Sequence, residues 1–79
     1  AGAEVLAAGS IHVYGALRGR ALAGIHGNTQ AGIYCRELEA ELLSVAGNYK
    51  RLEDIDSQLL GRAAEVHFIK EQLEIKPLG

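Results

Sequence analysis

The sequence has 79 residues, enough for one small domain whose hydrophobic core alone gives modest stability. Eight lysines and arginines against ten aspartates and glutamates give a formal net charge of -2, and no block of like charge suggests electrostatic binding of nucleic acid. The single cysteine, Cys35, excludes an internal disulfide, and no apolar stretch approaches the length of a membrane span. We therefore expect one soluble domain over residues 1–79.

Short apolar runs separated by glycines predict many short strands. The chain has ten glycines and one proline, and the dipeptide Ala-Gly recurs at positions 1, 23 and 46, which are spacings of 22 and 23 residues. The run Ile11–Tyr14 is followed at an offset of 20 by Ala31–Tyr34. Repeats of this length with three short strands each are typical of successive coils of a β-solenoid. The sequence therefore predicts an all-β fold, a narrow three-sided solenoid.

Side chains alternate along the first clear strand of the repeat. Ile11 and Val13 would point into the tube, and His12 and Tyr14 would point out of it. If the coils stack at the offset of 20, Tyr14 and Tyr34 lie one above the other as an exposed aromatic pair.

Arg18 and Arg20 follow at a glycine corner. Separated by a single glycine, both can project from one place, and a guanidinium offers planar, bidentate bonding to carboxylates. They would either pair with Glu37 or Glu39 of the next coil or bind an acidic partner. The residues alone leave both interpretations open.

The segment Leu38–Ala46 has two interpretations. Its propensities and the spacing of its apolar residues suit a helix, whereas the period of the repeat requires a strand, which we favour. A narrow tube cannot point four large side chains to its axis, so part of this run should be exposed and available for two-fold association, or be covered by the C-terminal residues. The candidate dimerisation residues are Leu38, Leu42, Leu43 and Val45.

The repeat ends after Gly47, and the remaining residues predict a cap. The segment Leu52–Gly61 indicates one or two helical turns, and Glu65–Ile69 and Leu73–Lys76 indicate a hairpin. Such a cap would cover the unpaired backbone groups at the end of a solenoid. The N-terminus has no comparable cap, which predicts that an earlier coil and an earlier domain are absent from this chain.

Three blocks of the sequence closely resemble one family. They are AGAEVLAAGSIHVYGALRGRALAG, IYCRELEAELLSVAGNYK and LEIKPLG, and they resemble the C-terminal domain of the bacterial septum site-determining MinC proteins over nearly the whole chain. The resemblance implies a right-handed, three-sided β-helix that dimerises and binds the membrane-associated ATPase MinD. It also implies a contribution to inhibiting polymers of the tubulin-like protein FtsZ, and a cytoplasmic domain that MinD recruits to the inner face of the membrane. The family's N-terminal inhibitory domain and its Arg-Ser-Gly-Gln segment are absent here.

The resemblance also implies partner-binding residues. These are Gly2, Glu4, Arg18, Arg20 and Gly24. Gly2 and Gly24 would belong to one column of stacked positions that continues to Gly47. Arg20, supported by Arg18, would contact MinD or the acidic, apolar tail of FtsZ.

We predict a protein-interaction domain rather than an enzyme, with no cofactor and no metal. The three histidines lack the spacing of metal ligands, and none lies where the repeat would bring it beside Cys35. One alternative is a fragment of a hexapeptide-type acyltransferase, which would require a stricter six-residue repeat and a catalytic histidine at a coil junction. Another is a structural, filament-forming solenoid similar to bactofilins.

Overall fold

Eight short β-strands and two 3-10 helices make up residues 3–78, the part of the chain that the computed structural model describes. The strands are β1 (Glu4–Leu6), β2 (Ile11–Leu17), β3 (Arg20–Ala23), β4 (Gly32–Leu38), β5 (Leu42–Val45), β6 (Asn48–Arg51), β7 (Ala64–Ile69) and β8 (Gln72–Pro77). The two 3-10 helices are Leu52–Asp54 and Ser57–Leu59. The predicted all-β fold is confirmed. None of the helices in residues 3–78 is long and apolar enough to cross a membrane.

The chain passes back and forth between two four-stranded sheets. The first sheet has the order β1-β3-β5-β6, and the second has the order β2-β4-β7-β8. Strands from successive turns of the chain are parallel, as in β1–β3, β3–β5 and β2–β4. The later strands β6, β7 and β8 join antiparallel. Each sheet therefore has a parallel part followed by an antiparallel part.

The offset between paired strands agrees with the predicted repeat of 22–23 residues for two strand pairs and is shorter for a third. Ile11 lies beside Ile33, and β3 pairs with β5, both at an offset of 22 residues. The offset between β1 and β3 is only 16, because Glu4 lies beside Arg20. The longer turn contains residues 24–31 between β3 and β4, whereas residues 7–10 connect β1 to β2.

The predicted stacking of Tyr14 on Tyr34 is wrong. Tyr34 instead stacks on His12, with ring centroids 4.6 Å apart, and meets His67 edge-on at 5.4 Å. Tyr14 is 81% exposed. The reason is the register, because an offset of 22 rather than 20 places His12 beside Tyr34. The predicted alternation itself is confirmed, since Ile11 is buried and His12 is exposed.

Most of the predicted dimerisation leucines lie in the core. Leu38, Leu43 and Val45 have no exposed surface, and Leu42 alone is partly exposed. Part of the run is thus exposed, as expected, but only at Leu42, and the role of the four residues in dimerisation stays a prediction. Space for the buried residues comes from β3, where Ala21 and Ala23 lie beside Leu43 and Val45, so that a small side chain neighbours each large one. The strand interpretation of this segment is confirmed by the end of β4 and by β5.

The C-terminal cap agrees with its prediction. Two 3-10 turns precede a hairpin in which β7 and β8 pair antiparallel around Lys70 and Glu71. Both turn residues have positive φ, 52° and 70°. Since β6 and β7 add antiparallel strands to β5 and β4, the parallel stacking of turns ends in both sheets at the same end of the molecule.

Candidate protein-interaction site

The outer face of the first sheet carries two rows of side chains that cross all four strands. The strand registers place Glu4, Arg20, Leu42 and Arg51 side by side, and we call this the arginine row. The same registers place Leu6, Leu22, Ser44 and Tyr49 side by side, and we call this the leucine row. The residues between them in sequence, such as Ala21 and Leu43, face the core, because side chains alternate along a strand.

The arginine row lines a shallow depression of about 380 Å³. Its walls are Arg20, Glu41, Leu42, Tyr49 and Arg51. The guanidinium carbon of Arg51 lies 5.6 Å from the centroid of the Tyr49 ring, within the range of a cation–π contact. Within residues 3–78, neither Arg20 nor Arg51 forms an ion pair, and both are exposed. The depression thus presents two guanidinium groups beside an apolar surface, which suits a ligand with carboxylates.

The two arginines of the glycine corner have different surroundings. Arg18 Nε donates a hydrogen bond to Glu39 Oε1 at 3.0 Å, and the two side chains are 61% and 40% exposed. An exposed pair of this kind contributes about 0–1 kcal/mol to stability. The intramolecular interpretation of the corner therefore holds for Arg18, with Glu39 rather than Glu37 as partner. Arg20 lies on the outer face of the first sheet instead.

Gly19, between these two arginines, is required by the packing of the backbone. A Cβ at this position would lie 1.8 Å from the carbonyl oxygen of Ala3. The neighbouring amide of Arg20 donates to that same oxygen at 2.8 Å. A side chain at position 19 would therefore separate the two turns and shift the start of β3, which carries Arg20. The sequence alone gave no signal for this contact.

The leucine row forms an apolar strip beside the arginine row. Leu6 is 56% exposed and Tyr49 is 59% exposed, whereas Leu22 is partly exposed and Ser44 is buried. The sequence pattern did not indicate Leu6, Leu22 and Tyr49 as candidate site residues. The available signal was their spacing, since Leu6 and Leu22 stand two positions after Glu4 and Arg20 and must share a face with them.

The remaining predicted partner-binding residues fall in different places. Glu4 is exposed on β1 beside Arg20. Gly2 lies outside the described residues. Gly24 is buried at the end of β3, with a φ of +58° and the carbonyl oxygen of Asn28 only 2.3 Å from where a Cβ would be. Backbone geometry therefore explains this glycine, and its contact with a partner stays a prediction.

The predicted glycine column does not match the register. The offset of 22 between β3 and β5 puts the position after Ala23 level with the position after Val45, which is Ala46. Gly47 lies one residue further along, in the turn between β5 and β6, with a φ of +84°. Gly24 and Gly47 are 23 residues apart, one more than the offset between β3 and β5, so the two glycines do not occupy equivalent positions in successive turns.

The outer face of the second sheet carries several contacts between its own side chains. His67 Nε2 lies 2.7 Å from Glu65 Oε1, and the His67 ring packs against Tyr34. Cys35 is buried behind this face, and burial raises the pKa of its thiol. In residues 3–78, no three side chains of His, Cys, Asp or Glu are grouped to hold a metal ion.

Residues 1–78 match the family of the septum formation inhibitor MinC, C-terminal domain. The chain belongs to this family. It is 55% identical over 78 residues to the "Probable septum site-determining protein MinC" of Xanthomonas oryzae pv. oryzae, and 51% identical over 78 residues to the MinC so named from Xylella fastidiosa. These matches cover 99% of this chain but 32% and 33% of the relatives, so the chain spans about a third of their length.

A solved structure of the MinC family has the same fold. It is a chain of the MinC:MinD cell division protein complex from Aquifex aeolicus, with a TM-score of 0.81 and 31% sequence identity. The superposition covers 95% of the present chain and 60% of that chain. The resemblance to the MinC family inferred from the three sequence blocks is thereby confirmed.

Proposed function

We propose that this chain is the domain of a MinC division inhibitor that dimerises and binds MinD, and that it acts by binding rather than by catalysis. The observation that carries the proposal is the outer face of the first sheet, where exposed leucines and two unpaired arginines lie together within the described residues. A relative with this fold occurs in a MinC:MinD complex.

We further propose that residues 1–79 form one short right-handed, three-sided β-helix. The parallel pairing of successive turns at an offset of 22 supports it. The pairing of β2 with β4 also shifts register between Val13 and Ala16, and such an irregularity bends a strand. Each of these two strands would then supply two walls, and β3 and β5 would supply the third. An experimental structure that gives the hand of the turns tests this point.

Leu6 and Leu22, at the β1 and β3 end of the leucine row, are our candidate for the dimer interface. Leu6 and Leu22 are accessible, and Leu42 of the arginine row adjoins them. A two-fold axis beside these two leucines would bury them at its centre and leave Tyr49 and the charged groups of the depression at the rim, as in many interfaces. Leu38, Leu43 and Val45 would support this face from below rather than contact the second copy.

Arg20 is our candidate for contact with an acidic partner, either MinD or the acidic, apolar tail of FtsZ. Its guanidinium is exposed and has no acidic partner within residues 3–78. A dimer presents this group twice, which raises its effective concentration at a surface that holds several MinD molecules. Recruitment by MinD would then bring the domain to the inner face of the membrane, where division polymers must not assemble.

A pull-down with MinD and ATP tests the proposal. The dimeric domain should be retained on MinD in the presence of ATP, and Arg20→Ala should weaken this retention or that of an FtsZ-tail peptide. The matched control is Arg36→Ala, which removes an exposed arginine from the second sheet. Retention on neither partner by the wild-type domain, or equal losses from both variants, would contradict the proposal.

A further inference from the structure

We infer that Arg51 and Tyr49 of β6 are specificity-determining residues of the Arg20 site, which together bind an extended peptide bearing two carboxylates. The inference rests on the proposed function, because it specifies the acidic ligand of Arg20. It goes beyond that function by giving the site a second guanidinium and an aromatic wall. It also replaces Arg18 as the second arginine, because Arg18 is already paired with Glu39.

The two guanidinium groups are spaced to bind two separate carboxylates. Arg20 and Arg51 belong to one row, with Leu42 of β5 between them. Two strand spacings put their α carbons about 10 Å apart. In an extended peptide, side chains two residues apart project from the same side about 7 Å from each other. Two long arginine side chains that lead into one depression can reach such a pair.

Tyr49 orients the second guanidinium. With its carbon 5.6 Å from the ring centroid, the Arg51 guanidinium lies against the aromatic side chain, which leaves N–H groups available for a carboxylate. Tyr49 and Leu42 supply apolar surface beside the charges. The site therefore favours a peptide in which an apolar side chain accompanies the two acidic ones.

Glu41 limits the charge that the site accepts. It lines the same depression, so that the lining has two arginines and one carboxylate, and Glu4 lies beside Arg20 outside the lining. A compact polyanion such as a polyphosphate would meet this carboxylate, whereas two separated carboxylates can each bind one arginine. The charge pattern thus favours an acidic peptide over a phosphate-rich ligand.

The second anchor comes from the cap rather than from the repeat. β6 pairs antiparallel with β5, and Arg51 and Tyr49 face outward, whereas Lys50 lies beside the buried Leu43. The parallel turns contribute Arg20 and Leu42 to the same depression. Binding specificity is therefore set where the capping strand joins the parallel part of the first sheet.

Fluorescence anisotropy with labelled octapeptides tests the inference. The probes carry a leucine and either two glutamates two positions apart, one glutamate, or glutamines at both places. We expect the two-glutamate peptide to bind most tightly, and Arg51→Ala to weaken it by about tenfold or more while changing the one-glutamate peptide little. Arg20→Ala should weaken both acidic peptides. Arg51→Lys, which keeps the charge but loses the planar fork, should restore part of the affinity.

Controls separate this inference from the proposed function and from folding. Arg36→Ala should bind as the wild type does, and sedimentation should show the same oligomeric state for Arg51→Ala as for the wild type. An Arg51→Ala domain that binds the two-glutamate peptide normally, while Arg20→Ala does not, overturns the inference and leaves the proposed function standing. A change of oligomeric state with unchanged peptide affinity also overturns it, since Arg51 would then belong to the dimer interface. If Arg20→Ala also binds normally, the proposed role of Arg20 fails as well.

Discussion

The outer faces of the two sheets use polar and aromatic residues in opposite ways. On the second sheet, His12 stacks on Tyr34, Tyr34 meets His67, and His67 bonds Glu65 at 2.7 Å. On the first sheet, Arg20 and Arg51 have no ion-pair partner in residues 3–78. Side chains of the second face therefore bond to one another across strands, whereas the guanidinium groups of Arg20 and Arg51 bind no carboxylate within the described residues.

The difference arises from the residues that the antiparallel strands β6 and β7 add to the two sheets. The strand β7 brings His67 and Glu65 beside Tyr34, so groups added by the cap complement those of the parallel turns. The strand β6 instead brings Arg51 into the row of Arg20, so like charges share one depression. Like charges held together on a surface cost stability and are useful when a ligand of opposite charge binds there.

The largest expected effect comes from the core that both faces share. Leu43→Ala removes a side chain without exposed surface beneath the first sheet, and it should lower the free energy of unfolding by about 2–5 kcal/mol. Urea unfolding followed by circular dichroism measures this loss. Leu42→Ala, one residue away on the outer face, is the matched control and should cost roughly 1 kcal/mol or less. Equal losses of unfolding free energy from the two variants would contradict the assignment of Leu43 to the core and Leu42 to the outer face.

One alanine substitution on each sheet tests the comparison most directly, because binding and stability should respond to different substitutions. Arg20→Ala should weaken binding of an acidic partner by about 1.5–3 kcal/mol with an unchanged thermal midpoint, because its guanidinium has no ion-pair partner within residues 3–78. Tyr34→Ala should lower the thermal midpoint and leave binding intact, because its ring packs on two histidines. Calorimetry of unfolding and of binding gives both quantities. The reverse pattern would show that the second face is the binding face.

Self-association should depend on the first face alone. Leu22→Glu places a charge in the leucine row and should convert the proposed dimer to monomer at micromolar concentration, because a buried unpaired carboxylate is costly. Sedimentation velocity measures the change. Tyr14→Glu is the control on the second sheet, where the side chain is 81% exposed. A wild-type domain that is monomeric throughout, or that forms fibres with rising concentration, would contradict a closed dimer.

The smallest expected effect concerns the surface ion pair at the corner. Arg18→Ala removes the bond to Glu39 and should change the free energy of unfolding by no more than about 1 kcal/mol. Its effect should shrink at high salt, since exposed charges are screened. Unfolding curves at low and high ionic strength provide the measurement. A loss as large as that of Leu43→Ala would show that the corner depends on this pair.

Several features were predictable from local sequence. The alternation of Ile11 and His12, the strand at Leu42–Val45 and the C-terminal hairpin follow from periodicity, turn residues and the length of the repeat. The exposed position of Arg20 followed from its place after a glycine corner. These features depend on neighbours in sequence, so a single chain contains the information for them.

Register, by contrast, depends on how much chain each turn consumes. The offset of 16 in one turn and 22 in the other results from connections of different length, and the spacing of Ala-Gly dipeptides concealed it. This is why Tyr34 meets His12 rather than Tyr14, and why Leu43 and Val45 lie in the core beside Ala21 and Ala23. Strand alternation tells which side a residue faces but not which residue lies beside it.

The amino-acid sequence by itself determined that this chain forms short alternating strands with a hairpin cap, because these follow from local chemistry and a repeated pattern. Only the tertiary structure decided that Arg20, Leu42 and Arg51 share one row, since they come from two parallel turns and an antiparallel strand. It also decided that position 19 must be glycine, because a Cβ there would overlap the carbonyl oxygen of Ala3. Both results are set by backbone pairing between distant residues, which creates neighbours that no local pattern specifies.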